Sequence, residues 1–196
     1  MKKTVLVLVL ASVLAGGVFA QNGGLFDLKS GPTQQKGVLF VDLGYTIEYL
    51  RLGGFGIGAG WEQQINKNWT WVANAGFGTY KEDYVFFEIS TLDFSLEANA
   101  RFYIFGTALD KLFINAGLGF GYFSWKIEDE SKAWGALNIP LYAGWKFVIA
   151  PGFVAEIDIG YRVGIGIIEP DSTGSSLVTG PDYGGLITGI RLGWAF

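Results

Sequence analysis

Glu156 and Asp158 stand two residues apart in "FVAEIDIGYRV", a spacing that sets both carboxylates on one face of an extended strand. Paired carboxylates are the least that general acid–base chemistry needs. The chain offers little to go with them. It has no His and no Cys, so a hydroxyl nucleophile lacks its usual activating base and thiol chemistry is excluded. The glycines of "GFGIGAG" and "GLGFG" recur at every second residue, with no helix and no Lys-Ser/Thr following, so these are not phosphate loops. The acidic "EDE" at 128–130 reads as a solvated loop, and Asn68-Trp69-Thr70 matches a glycosylation sequon by chance. Neither a metal nor an organic cofactor is expected. Arg162 shares the parity of the carboxylate pair and Arg191 sits on the corresponding non-apolar face of the last strand, so a buried ion-pair network is the better reading of Glu156 and Asp158.

The elements that carry these charges are strands. Alternation with a period of two runs through 39–48, 55–62, 69–78, 92–102, 112–122, 137–147, 153–163 and 186–196. Each segment has one apolar face, and the opposite face holds glycine and the charges. The connections are "LRLGG", the turn "QINKN", the loop or strand extension "KEDYVFFEIS", the turn "FGTALDK", the charged loop "KIEDESKAWG", the tight turn "IAPG" and the long loop "EPDSTGSSLVTGPDYG". No helix is expected beyond the N-terminal segment.

That N-terminal segment, "MKKTVLVLVLASVLAGGVFA", has a basic start, an apolar run too short to span a bilayer and small residues at its end, and reads as a signal peptide over 1–20. A flexible leader follows over 21–36, and the barrel occupies 37–196. Removing Lys2 and Lys3 from the 14 basic residues leaves 12 against 18 acidic, a mature charge of −6. That balance argues against nucleic acid as a partner. The composition is 50% hydrophobic with no convincing transmembrane helix. Strands that enter lipid must satisfy their backbone by closing into a barrel.

Which face meets lipid is settled by energy. The inward set is Asp42, Glu48, Glu62, Asp93, Glu97, Glu156 and Asp158 against Arg101, Lys146, Arg162 and Arg191, seven acids to four bases. A cation on the lipid face at mid-membrane costs about 2–4 kcal/mol, so these residues point inward and each arginine serves more than one carboxylate. The apolar face is then sorted by height. Trp61, Trp69, Trp71, Trp145, Phe147, Phe153, Trp194 and Phe196 fall near the lower rim, and Tyr45, Phe77, Phe94, Tyr122 and Tyr161 near the upper. Two aromatic girdles around an aliphatic band suit a membrane.

The chain ends "LITGIRLGWAF", and here it resembles the small eight-stranded outer-membrane proteins of Gram-negative-type bacteria, the OmpA, OmpX and OmpW group. In that family a terminal Phe with apolar residues at alternating upstream positions is read by the outer-membrane assembly machinery. Ile190, Leu192, Trp194 and Phe196 match it. The resemblance implies an all-β, eight-stranded antiparallel up-and-down transmembrane β-barrel in the bacterial outer membrane. Its partners would be outer-membrane lipid, the assembly machinery, periplasmic chaperones and an extracellular ligand or host surface. Similar barrels that acylate or deacylate lipopolysaccharide use a histidine base, which this chain lacks. Two readings remain: a structural or surface-interaction protein with extracellular loops, and a narrow channel or binding barrel for small, including hydrophobic, molecules. Eight strands leave room for side chains or one small ligand. The inner glycines favour a cavity, and Arg101, Tyr142, Arg162 and Arg191 are large enough to fill it again.

Overall fold

Eight antiparallel strands close on themselves in sequence order. The computed structural model describes residues 36–83, 88–105, 108–127, 130–150, 152–168 and 184–196. The expected signal peptide, nearly all of the expected leader and most of the expected 169–184 loop lie outside them. The strands are β1 (Gly37–Asp42), β2 (Phe55–Gln64), β3 (Trp69–Asp83), β4 (Glu88–Tyr103), β5 (Lys111–Ile127), β6 (Glu130–Ala150), β7 (Phe153–Ile168) and β8 (Gly185–Ala195). Closure is made by β1 on β8, where Leu39 faces Trp194 and Asp42 faces Arg191. Backbone bonds knot the seam at its lower end, from Lys36 N to Phe196 O at 2.8 Å and from Phe196 N to Gly37 O at 2.9 Å.

The first strand is shorter than its alternation predicts. It stops at Asp42, and Leu43–Arg51 forms a helix, α1, between β1 and β2. Asp42 caps it, its carboxylate accepting from Tyr45 N at 3.0 Å while Thr46 Oγ1 donates to Asp42 O at 3.2 Å. At the far end Leu52 N and Gly54 N return to Glu48 O and Tyr49 O, and Gly53 supplies a left-handed φ of 78°. This overturns three expectations. A helix exists beyond the N-terminal segment, Tyr45 belongs to it rather than to the outer girdle, and Glu48 is exposed on it instead of sharing the charged interior.

One segment expected as loop or strand extension is strand, and one predicted loop is strand instead. The described residues of "KEDYVFFEIS", 81–83 and 88–90, extend β3 and β4, whose ladder reaches Asp83 opposite Glu88 with Lys81 bonded to Glu88 at 2.6 Å. The described residues of the charged "KIEDESKAWG" segment, 126–127 and 130–135, continue β5 and β6, with Trp125 opposite Lys132 and Phe123 opposite Trp134. Cross-strand aromatic contacts of this kind hold a hairpin beyond the sheet; the Trp125 and Trp134 rings lie 5.8 Å apart. Strands β3 to β6 run 15, 16, 17 and 21 residues, more than the about 9–11 a tilted strand needs to cross a bilayer. They raise a wall on one side of the mouth, while α1 sits above the short strands opposite.

The outward face is apolar all round. Leu118, Ile159, Ile157, Leu137 and Leu141 are each at least half exposed, and below them Trp61 and Trp71 pack edge to face at 4.9 Å. Ala100, Ala116 and Ala143 leave a shallow apolar groove of about 700 Å³ on this face.

Candidate functional site

The interior divides into three levels. At the bottom, Val38, Phe40, Val72, Val154 and Ala195 point inward and pack together with Leu109, which the β4–β5 turn folds beneath them. Leu109 adopts a left-handed φ of 71° to reach this position; its burial offsets a strain of about 1–2 kcal/mol. Beside this cluster, Tyr103 and Phe113 are 0% exposed.

The next level is ionic. Arg101, on β4, donates to Glu62 Oε2 at 3.0 Å and in a fork to Glu156 at 2.7 and 2.9 Å. The guanidinium lies 3.9 Å from the centre of the Phe113 ring. Lys146 bonds Glu62 and reaches Glu156 at 3.2 Å. Thr70 and Tyr103 complete Glu62, donating to its Oε1 at 2.6 and 2.7 Å. Arg191 links this level to the one above: it donates to Glu156 Oε1 at 2.6 Å, to Asp42 Oδ2 at 3.2 Å, and to Asp158. Desolvated charges are tolerable only when so fully paired. Sheet register explains the meetings, because Asp42 and Glu156 lie directly across from Arg191 on its two neighbours, β1 and β7.

Higher up, Arg162 pairs with Glu97, which also accepts from Tyr142 OH at 2.9 Å and from Asn74 at 3.4 Å. Asp93 is separate. It accepts from Tyr45 OH at 3.0 Å and from Tyr49 OH, and it pairs with no cation among the described residues. The interior therefore holds six acids, Asp42, Glu62, Asp93, Glu97, Glu156 and Asp158, against the four expected bases. The Glu156–Asp158 pair accepts from Arg101, Lys146 and Arg191 and is 2% and 7% exposed. Ile190, Leu192, Trp194 and Phe196 alternate outward along β8, with Trp194 and Phe196 54% and 60% exposed at the lower rim.

Sequence reasoning missed α1 and its bed. Tyr49 lies against Gly56 and Gly78, and Tyr45 against Gly58 and Gly76. A Cβ at Gly56 would stand 2.5 Å from the Tyr49 ring, and one at Gly76 3.1 Å from the Tyr45 ring. The inner glycines of β2 and β3 thus make space for two tyrosines, which strand alternation alone does not reveal. The available signal was "DLGYTIEYLRLGG": a capping Asp, two tyrosines four residues apart, and a Gly-Gly stop. Between α1 and the ionic level remains a polar cavity of about 500 Å³.

No family model matches the chain, and no curated protein matches it. Among solved structures it is similar to Ail, the attachment invasion locus protein of Yersinia pestis, with a TM-score of 0.50 and 13% identity over 84% of this chain and 100% of that one. It is also similar to the N-terminal β-barrel domain of Pseudomonas aeruginosa OprF, with a TM-score of 0.46 and 16% identity over 83% of this chain and 98% of that one. The closed, all-antiparallel, up-and-down barrel of eight strands has the fold of the small outer-membrane barrel proteins.

Proposed function

We propose that the chain is a bacterial outer-membrane β-barrel without enzymatic activity, closed to solutes at its lower end, that presents its upper wall to an extracellular partner. The observation that carries this reading is the burial of the lower interior. Val38, Glu62, Val72, Arg101, Tyr103 and Phe113 are all 0% exposed and Lys146 is 1%. Side chains lining a water-filled pore would touch solvent; these do not. The apolar band outside supports the lipid environment, since soluble monomers seldom expose a continuous patch above a few hundred Å². The N-terminal segment would direct export, and the alternating apolar end of β8 would serve as the assembly signal. The wall of β3–β6 carries Phe123, Trp125 and Trp134 with Lys132, a surface suited to a partner.

Of the two readings of the lumen, the buried ionic level disfavours a channel and leaves the cavity above it for binding. Reconstitution into planar bilayers tests this. The wild-type barrel is expected to show no single-channel steps. Regular channel openings by the wild type would overturn the closed-lumen reading.

A further inference from the structure

We propose that the cavity beneath α1 is a binding site for a small organic cation rich in N–H donors, an alkyl diamine or short polyamine, entering from the extracellular side. The proposal rests on the closed lower lumen, which makes the cavity a blind pocket rather than a stretch of pore. Its volume, about 500 Å³, lies within the roughly 300–1,000 Å³ of small-molecule pockets. It communicates with solvent, since the side chains of Asp42 and Arg162 on its wall are each 22% exposed.

Charge selects the sign of the ligand. The wall holds Asp42, Glu48, Asp93, Glu97 and Asp158 against Arg51, Arg162 and Arg191, and Arg191 is shared with Glu156 below. Asp93 is the wall carboxylate held only by hydroxyls. The two tyrosines that hold it have ring centres 4.9 Å apart, and aromatic faces beside a carboxylate favour an ammonium group.

Hydrogen bonding selects a donor. Three acceptors on the wall lack a partner, Asn74 Oδ1, Asn138 Oδ1 and Asp158 Oδ1, against one donor, Arg162 Nε. Asn138 is 3% exposed and the Asp158 side chain 0%, and no rotation turns a carboxylate oxygen into a donor. A ligand with several N–H groups answers both the charge and the acceptors. A neutral polyol answers only the second, and an anion neither.

Calorimetric titration of the folded, full mature barrel in detergent, at about 0.15 M salt to suppress diffuse attraction, tests the site. The probes are 1,4-diaminobutane and spermidine, with 1,4-butanediol and succinate as controls. Saturable one-to-one binding of the amines and none of the controls is expected. Asp93→Asn should weaken amine binding at least about tenfold, Asn138→Asp should tighten it, and Glu88→Gln on the outer hairpin should leave it unchanged. Resistance to unfolding at room temperature in detergent gels verifies each fold. Should Asp93→Asn not fold, concentration-dependent protection of the wild type against urea by amine but not diol supplies the same test. Equal binding of butanediol, no saturable binding to folded wild type, or equal losses in Asp93→Asn and Glu88→Gln would overturn the site. A barrel that conducts yet binds amine selectively would overturn the closure and leave the site standing.

Discussion

Arg191 illustrates what one side chain does in a desolvated interior. It joins three carboxylates from two strands, Asp42 on β1 and Glu156 and Asp158 on β7, and removing one partner of such a group strands the rest at a cost of about 3–5 kcal/mol. Arg191→Leu is expected to destabilise the barrel by that order in urea unfolding from lipid vesicles. Adding Asp158→Asn should recover more than adding Asp42→Asn, because the Asp158 side chain is 0% exposed and that of Asp42 22%. Asp110 makes a different case, in the turn between β4 and β5. Its Oδ2 is buried without a partner. Burial raises its carboxyl above the ordinary value, with Lys111 pulling the other way. The folded state therefore holds this proton more tightly than the unfolded chain, and stability falls as pH rises from the unfolded pKa through the folded one. Asp110→Asn should be more stable than wild type at neutral pH, with the advantage shrinking towards pH 4 in urea midpoints. At this scale period-two parity made the inward residues of β2 to β8 legible, because a strand sends alternate side chains to opposite faces. It misplaced Glu48, whose backbone is helical. Parity also cannot say which acid meets which base, since that depends on stagger between strands far apart in sequence.

Among the elements, α1 shows where alternation misleads. "LFVDLGYTIEYL" satisfies a period of two, yet Asp42 can also cap a helix, and the glycines that receive Tyr45 and Tyr49 lie on other strands. Only tertiary packing decides between the two. Gly78→Ala would drive a methyl into the Tyr49 ring and is expected to destabilise the barrel by about 1–3 kcal/mol, as overpacking does. It should also speed trypsin cleavage after Arg51, which is exposed at the end of α1. Combining it with Tyr49→Ala should restore the space, so the double mutant is expected to lose less than the two single losses added together, measured by urea unfolding. The "KIEDESKAWG" segment was misread for another reason. Charged residues such as Lys126 and Lys132 suggest loop, but both are exposed to solvent on strand, where strand and charge coexist.

The whole molecule is a cylinder with an apolar outside, a charged and sealed lower interior and an open polar pocket above. All eight strands, their order and their outward faces were legible, with β1 overextended past Asp42, because alternate side chains of a strand point to opposite faces. The sealed base was not, because Leu109 enters from a turn with no periodicity. Phe196 acts at this scale too: its backbone ties the seam to Lys36 and Gly37, while its ring is 60% exposed. Phe196→Ala keeps those bonds, so it is expected to leave urea stability within about 1 kcal/mol while lowering the amount that reaches the outer membrane in cells. Normal outer-membrane levels would remove the assembly role. The central claim is that the apolar face meets lipid around a sealed interior. The chain contains no Cys, so single cysteines at Ile114, Leu118, Leu141 and Ile159 can each carry a spin label in reconstituted vesicles, with Lys132 on the upper hairpin as the aqueous reference. The account predicts that oxygen, which partitions into lipid, relaxes the four membrane labels while a water-soluble nickel chelate reaches only position 132. Nickel access at Leu118 and Leu141 equal to that at Lys132 would contradict it.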